Sequence, residues 1–138
     1  MKFVVACGTS DGELLTDDHF GESKRFYIFR LDNFHSELVT KLDNTSKEED
    51  EDPTHGDPQK AKQVSDILLD HSVNVVLAHK MGPNVVRISK NFVPVVFRGT
   101  RIDTGLQVLA DNLHLVEREW RKGVNRGCLV LDQPDESS

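Results

Sequence analysis

The chain has 138 residues, of which 37% are hydrophobic and 29% charged, and its formal net charge is −6. That balance belongs to a globular domain with length enough for one sizeable core. No apolar run approaches the roughly 20 residues of a membrane-spanning helix, and the acidic balance argues against a general nucleic-acid binder, whose surface is basic.

Lys2–Ala6 (KFVVA) is a short β-branched run that reads as a buried first strand rather than a signal peptide, so a cytoplasmic location is the default expectation. Gly8-Thr-Ser-Asp-Gly12 breaks it, and Leu14–Phe20 reads as a turn or short strand. Phe26–Leu31 (FYIFRL) and Glu37–Leu42 (ELVTKL) follow as two strands joined at Asp32-Asn33. Their nearness in sequence favours antiparallel pairing of these first strands. Asn44–Pro58 is polar and acidic and reads as a mobile loop that contains the run Lys47–Asp52.

A helix is predicted from Pro58, with Asp57 as its N-cap and Ala61, Val64, Ile67, Leu68 and His71 on one face. Val73–Ala78 is an unalternated apolar strand of the kind buried on both faces. Pro83–Asn91 predicts a short helix with Val85, Val86, Ile88 and Phe92 inward. Val93–Phe97 is the next strand, and Asp103–Leu113 a last helix with Leu106, Leu109, Ala110 and Leu113 on one side. The strand–helix–strand from Val73 to Phe97 is a βαβ unit, so its strands should be parallel. The result is an α/β domain over residues 1–115. Residues 116–138 form a C-terminal extension with Trp120, a further possible strand at Cys128–Leu131 and a tail expected to be disordered.

The chain holds two cysteines, Cys7 and Cys128, and no Cys-x-x-Cys, so neither a zinc ribbon nor an iron–sulfur site made of cysteines alone is indicated. In a reducing cytosol a disulfide between them is not expected. In open α/β sheets, ligands gather beyond the carboxyl ends of parallel strands. Cys7–Ser10, His79–Pro83 and Arg98–Arg101 would all lie there if the first strand runs parallel to Val73–Ala78. Together they offer a thiol, an imidazole, a thioether (Met81) and several cations, a set suited to an anionic group rich in metal or sulfur. Each residue also has a plainer role. Cys7 and Met81 serve equally as packing, and Lys80, Arg98 and Arg101 as solvated charge. His35 and His114 read as surface residues, His71 as a satisfied packing histidine, and His55 as part of the acidic loop. Gly82-Pro83 suits a tight strand-to-helix turn, and neither a dinucleotide fingerprint nor a Walker loop is present.

The stretch KFVVACGTSDGELLTDDHFGESKRFYIF, followed by VNVVLAHKMGPNVVRISKNFVPVVFRGTRIDTGLQVL, resembles the dinitrogenase iron–molybdenum cofactor biosynthesis family over roughly residues 1–113. That family includes NifX- and NafY-like proteins and the C-terminal part of NifB-like proteins. Its landmarks here are His19-Phe20-Gly21 before a strand and Met81-Gly82-Pro83-Asn84 opening a helix. The resemblance implies a ribonuclease H-like three-layer fold, with a mixed five-stranded sheet of three antiparallel strands and then βα units, flanked by helices. It also implies carriage of an iron–sulfur or iron–molybdenum-type cluster or its precursor, a cargo not required for folding, between cluster donor and acceptor proteins. His19 matches the family's His-Phe-Gly histidine, which is implicated as a cluster ligand; imidazole suits iron.

The expected metal ligands are therefore His19 and Cys7, and the expected cargo-binding residues are His19, Cys7, His79, Lys80, Met81 and Gly82. His79-Lys80 departs from the small residues common in the family at those positions. These side chains would either add a ligand and a cation or obstruct the site. A nuclease reading fails for lack of carboxylates in the first strand, and the chain is expected not to be an enzyme, to bind no nucleic acid and to enter no membrane. The alternative is a small regulatory or protein-interaction module that takes an organic anion or a protein partner.

Overall fold

In the computed structural model, which describes residues 1–46 and 57–134, the alternation of one strand sets the architecture. β1 (Phe3–Thr9) sends Phe3, Val5 and Cys7 into one apolar cluster and Ala6 into another. Successive strand residues point to opposite faces, so a strand apolar at every position must be covered on both sides. β4 (Val75–Ala78) repeats the pattern, with Val75 and Leu77 on the first face and Val76 and Ala78 on the second.

The strands are β1, β2 (Arg25–Leu31), β3 (Ser36–Asp43), β4, β5 (Val93–Phe97) and β6 (Leu129–Leu131), in the order β3-β2-β1-β4-β5-β6. β1–β2 and β2–β3 pair antiparallel; β1–β4, β4–β5 and β5–β6 pair parallel. Helices α1 (Pro58–Leu69) and α2 (Val85–Ile88) cover one face through Val64, Leu68 and Ile88. Helices α3 (Ile102–Ala110) and α4 (Leu113–Arg121) cover the other through Leu106, Leu109, Leu113 and Val116. This is the three-layer, ribonuclease H-like arrangement expected from the resemblance. The sheet has six strands rather than five, because β6 adds to its parallel edge.

The C-terminal segment is built into the sheet. The Glu119 carboxylate accepts from the Lys122 ammonium at 2.7 Å and from the Gly127 N–H at 2.9 Å. Arg126 stacks 4.1 Å from the Trp120 ring centre and donates to the Lys90 carbonyl at 3.0 Å. These contacts turn the chain after α4 and feed it into β6.

Three local expectations are corrected. Val86 is 68% exposed, because α2 is a single turn and only Ile88 is deeply buried. His71 is exposed beyond the end of α1, with Nδ1 3.2 Å from the Ile67 carbonyl, so it is not a packing histidine. The predicted last helix ends at Ala110, and a second helix, α4, starts at Leu113. The acidic run Lys47–Asp52, His55 and the end of the tail lie outside the described residues.

Candidate functional site

β1, β4 and β5 run parallel, so their carboxyl ends share one rim. The chain after β1 is strapped across that rim by backbone hydrogen bonds. Leu15 N–H donates to the Thr100 carbonyl at 2.8 Å, Thr16 N–H to the Gly8 carbonyl at 3.0 Å and Phe20 N–H to the Lys80 carbonyl at 2.9 Å. Ile102 N–H returns to the Glu13 carbonyl at 2.9 Å. The loops after the three strands, singled out from sequence as separate segments, therefore form one continuous edge.

The turn that starts the strap is fixed by Asp11, whose carboxylate accepts from the Leu14 N–H at 2.9 Å and the Glu13 N–H at 2.8 Å. Those donors, Leu14 first, hold its carboxyl below the usual aspartate range. Arg25 donates to the Ser10 carbonyl at 2.7 Å and ties the same turn to β2.

His19 stands at the far end of the strap. Its backbone bridges Lys80, and the side chain is exposed. The next residue, Phe20, is fully buried, with its ring 5.1 Å from that of Phe26. Phe20 thus acts as an anchor that fixes where the imidazole emerges. Gly82 completes the seat. Its φ is +78°, and a Cβ there would lie 2.5 Å from both Cγ and Nδ1 of His19. Only glycine meets both demands, backbone conformation and close approach to the ring.

Lys80 is exposed and has no ion-pair partner among the described residues. The other cations of the rim are engaged: Arg98 with Asp132 at 3.1 Å and Arg101 with Asp103 at 3.0 Å. The Arg101 guanidinium holds the Asp103 carboxyl below its usual range. Met81 is 6% exposed and packs with Phe20 and Ile88, so it serves as core. His79, partly buried, places Nδ1 2.9 Å from the Gly99 carbonyl and 3.2 Å from that of Phe97.

Cys7 does not join this set. β1 continues to Thr9, so Cys7 lies inside the strand, fully buried beside Val5, Leu77 and Phe97, and not in the loop that follows. Burial pushes its thiol far up, so the thiolate that would bind metal is disfavoured. The sequence reading ends this strand at Ala6, three residues short of Thr9, with Gly8 as a breaker; here Gly8 pairs with Phe26 in the sheet. Sequence reasoning also missed the strap. Its only trace was the pair of leucines at 14 and 15, of which Leu15 is buried and pins the crossing.

Among the described residues, no group of three or more His, Cys, Asp or Glu side chains is arranged to hold a metal ion. The rim offers instead one exposed imidazole, one unpaired cation and a second imidazole anchored by its other nitrogen.

This fold and rim define a mixed α/β domain whose parallel strands end at one open edge. The chain belongs to the dinitrogenase iron–molybdenum cofactor family, whose model matches residues 1–111. A crystal structure from Methanocaldococcus jannaschii, provisionally described as a dinitrogenase, is similar in fold. It is 16% identical, with a TM-score of 0.58 over 81% of this chain and 91% of that one. No curated protein matches the chain. No helix among the described residues is long and apolar enough to cross a membrane.

Proposed function

We propose that this protein binds a metal–sulfur cluster, or a precursor of the iron–molybdenum cofactor, and hands it from a donor to an acceptor protein in the cytoplasm. The mechanism is binding and release, without turnover. Family membership supplies the class of cargo, and one observation carries the reading: His19 projects from the rim with its ring seated on Gly82 beside the unpaired Lys80.

The chemistry follows from those groups. A neutral imidazole gives its lone pair to iron. Lys80 offsets negative charge on the sulfide-rich cargo, and on an exposed rim that attraction weakens with salt. The acidic neighbours Asp17 and Asp18 oppose an anion, so the cargo is held by ligation more than by charge. A site with few protein ligands and an open edge suits a carrier, which must let go of what it takes up.

The test is anaerobic uptake of a synthetic iron–sulfur or thiomolybdate cluster, followed by metal and sulfide analysis, with His19→Ala alongside. Stoichiometric loading that collapses in the variant is the expected result. Equal loading in both proteins would remove His19 from the site, and no loading in either would overturn the carrier reading.

A further inference from the structure

We propose that His79 is a second ligand to the cargo, acting through Nε2; this rests on the carrier reading above and specifies its coordination. His79 follows the last residue of β4 and immediately precedes Lys80, the residue that His19 bridges. Its Nδ1 faces two acceptors, the carbonyls of Gly99 at 2.9 Å and Phe97 at 3.2 Å. A carbonyl oxygen cannot donate, so in the neutral ring Nδ1 carries the proton and Nε2 carries the lone pair.

That is how metal-binding histidines are held. One nitrogen donates to a backbone carbonyl, which sets the tautomer and the ring orientation and makes the other nitrogen the better ligand. Nε2 of His79 has no hydrogen-bond partner among the described residues. The ring is partly buried rather than enclosed, and the two carbonyls belong to the end of β5 and the loop after it, so the anchor is part of the sheet's own rim.

Ligation involves no change of oxidation state. Nε2 donates its lone pair to an iron atom of the cluster, and a small thiolate that occupied that position leaves as the free anion. The rim would then hold its cargo between His19 on the strap and His79 in the loop that follows β4, next to Lys80.

Two measurements test this. In the unloaded protein, nitrogen-15 NMR of the histidine rings is expected to find the neutral His79 ring as the tautomer with its proton on Nδ1 and Nε2 bare; the opposite tautomer, with Nε2 protonated and Nδ1 bare, would overturn the assignment. In the second, a cubane iron–sulfur cluster ligated by small thiolates is offered to the unaltered protein, to His79→Gln and to His19→Ala. Glutamine keeps a polar side chain of similar length but has no imidazole nitrogen. Its affinity for the cluster is expected to fall about tenfold or more. Pulsed electron paramagnetic resonance of the reduced, loaded protein is expected to find two imidazole nitrogens coupled to the cluster, and one in His79→Gln. Undiminished uptake by a folded His79→Gln, with a single coupled imidazole in the unaltered protein, would overturn this inference and leave the carrier reading standing. No uptake by any of the three would overturn both.

Discussion

The parallel and antiparallel halves of the sheet use the same kinds of residue to different ends. In β4 every position is buried, whereas β3, at the opposite edge, has none that is. Leu77 in the parallel half is fully enclosed, while Leu38 in β3 is 43% exposed and Val39 47%. The parallel half needs helices on both faces because its strands cross over through them, and those crossovers bring every loop after a strand to one end. The rim with His19, His79 and Lys80 lies at that end. The antiparallel half turns through a tight hairpin at Asp32–His35 and brings no such set of loops together. A shared rim of loops is thus a by-product of parallel connection, and β3 pays for being at the sheet's margin with exposed apolar surface.

The sharpest way to break this comparison is the same deletion in each half. Leu77→Ala is expected to cost about 2–5 kcal/mol through lost burial and the cavity left behind. Leu38→Ala is expected to cost about 1 kcal/mol or less, because much of that side chain is already in water. Urea denaturation midpoints measure both, and equal losses would contradict the contrast.

Next in size is Gly82→Ala, at the rim itself. A side chain at φ +78° is strained, and its Cβ conflicts with the His19 ring. We expect a loss of about 1–3 kcal/mol together with weakened cluster uptake. Full stability and full uptake in this variant would show that His19 is not seated on Gly82.

Asp57→Ala tests the crossover that leads into the parallel half. The Asp57 carboxylate accepts from the N–H groups of Gln59 at 2.9 Å and Lys60 at 3.2 Å, and losing this cap should cost about 1 kcal/mol. Thermal unfolding reads it directly.

The smallest effect concerns the turn into β6. Lys122, and then the Gly127 N–H, hold the Glu119 carboxyl below the usual glutamate range. Its folded-state pKa is therefore lower than in the unfolded chain, and the unfolded state binds more protons in acid. The stabilisation is present above the unfolded value, about pH 4.3, and is lost as the pH falls through the folded one. Glu119→Gln should be slightly less stable at neutral pH and should lose less on acidification. An unchanged acid limb would remove Glu119 from that role.

Much of the fold was legible along the chain. The Asp57-Pro58 start of α1, the continuous apolar runs of β4 and β5, and the parallel relation between them all follow from local chemistry. The His-Phe-Gly and Met-Gly-Pro-Asn landmarks also lie where function was sought. Cys7 is the instructive failure. Its neighbour Gly8 signals a turn in isolation, yet pairing with Phe26 on one side and the run of β1 beside β4 hold it in the sheet. Cross-strand partners override the preference of a single residue, and a sequence cannot display its partners.

By itself the sequence determined most of the strands and helices, though not α4 or the end of β1, because periodicity, capping residues and turn formers act within a few residues of one another. It also determined that His19, Lys80 and Gly82 sit at turns. Only the tertiary structure decided that Gly82 is shaped to the His19 ring, that Cys7 is core, and that His79 is anchored through Nδ1 to the end of β5. Each of these depends on a contact between residues far apart in the chain. Such contacts exist only once the sheet has brought its strand ends together.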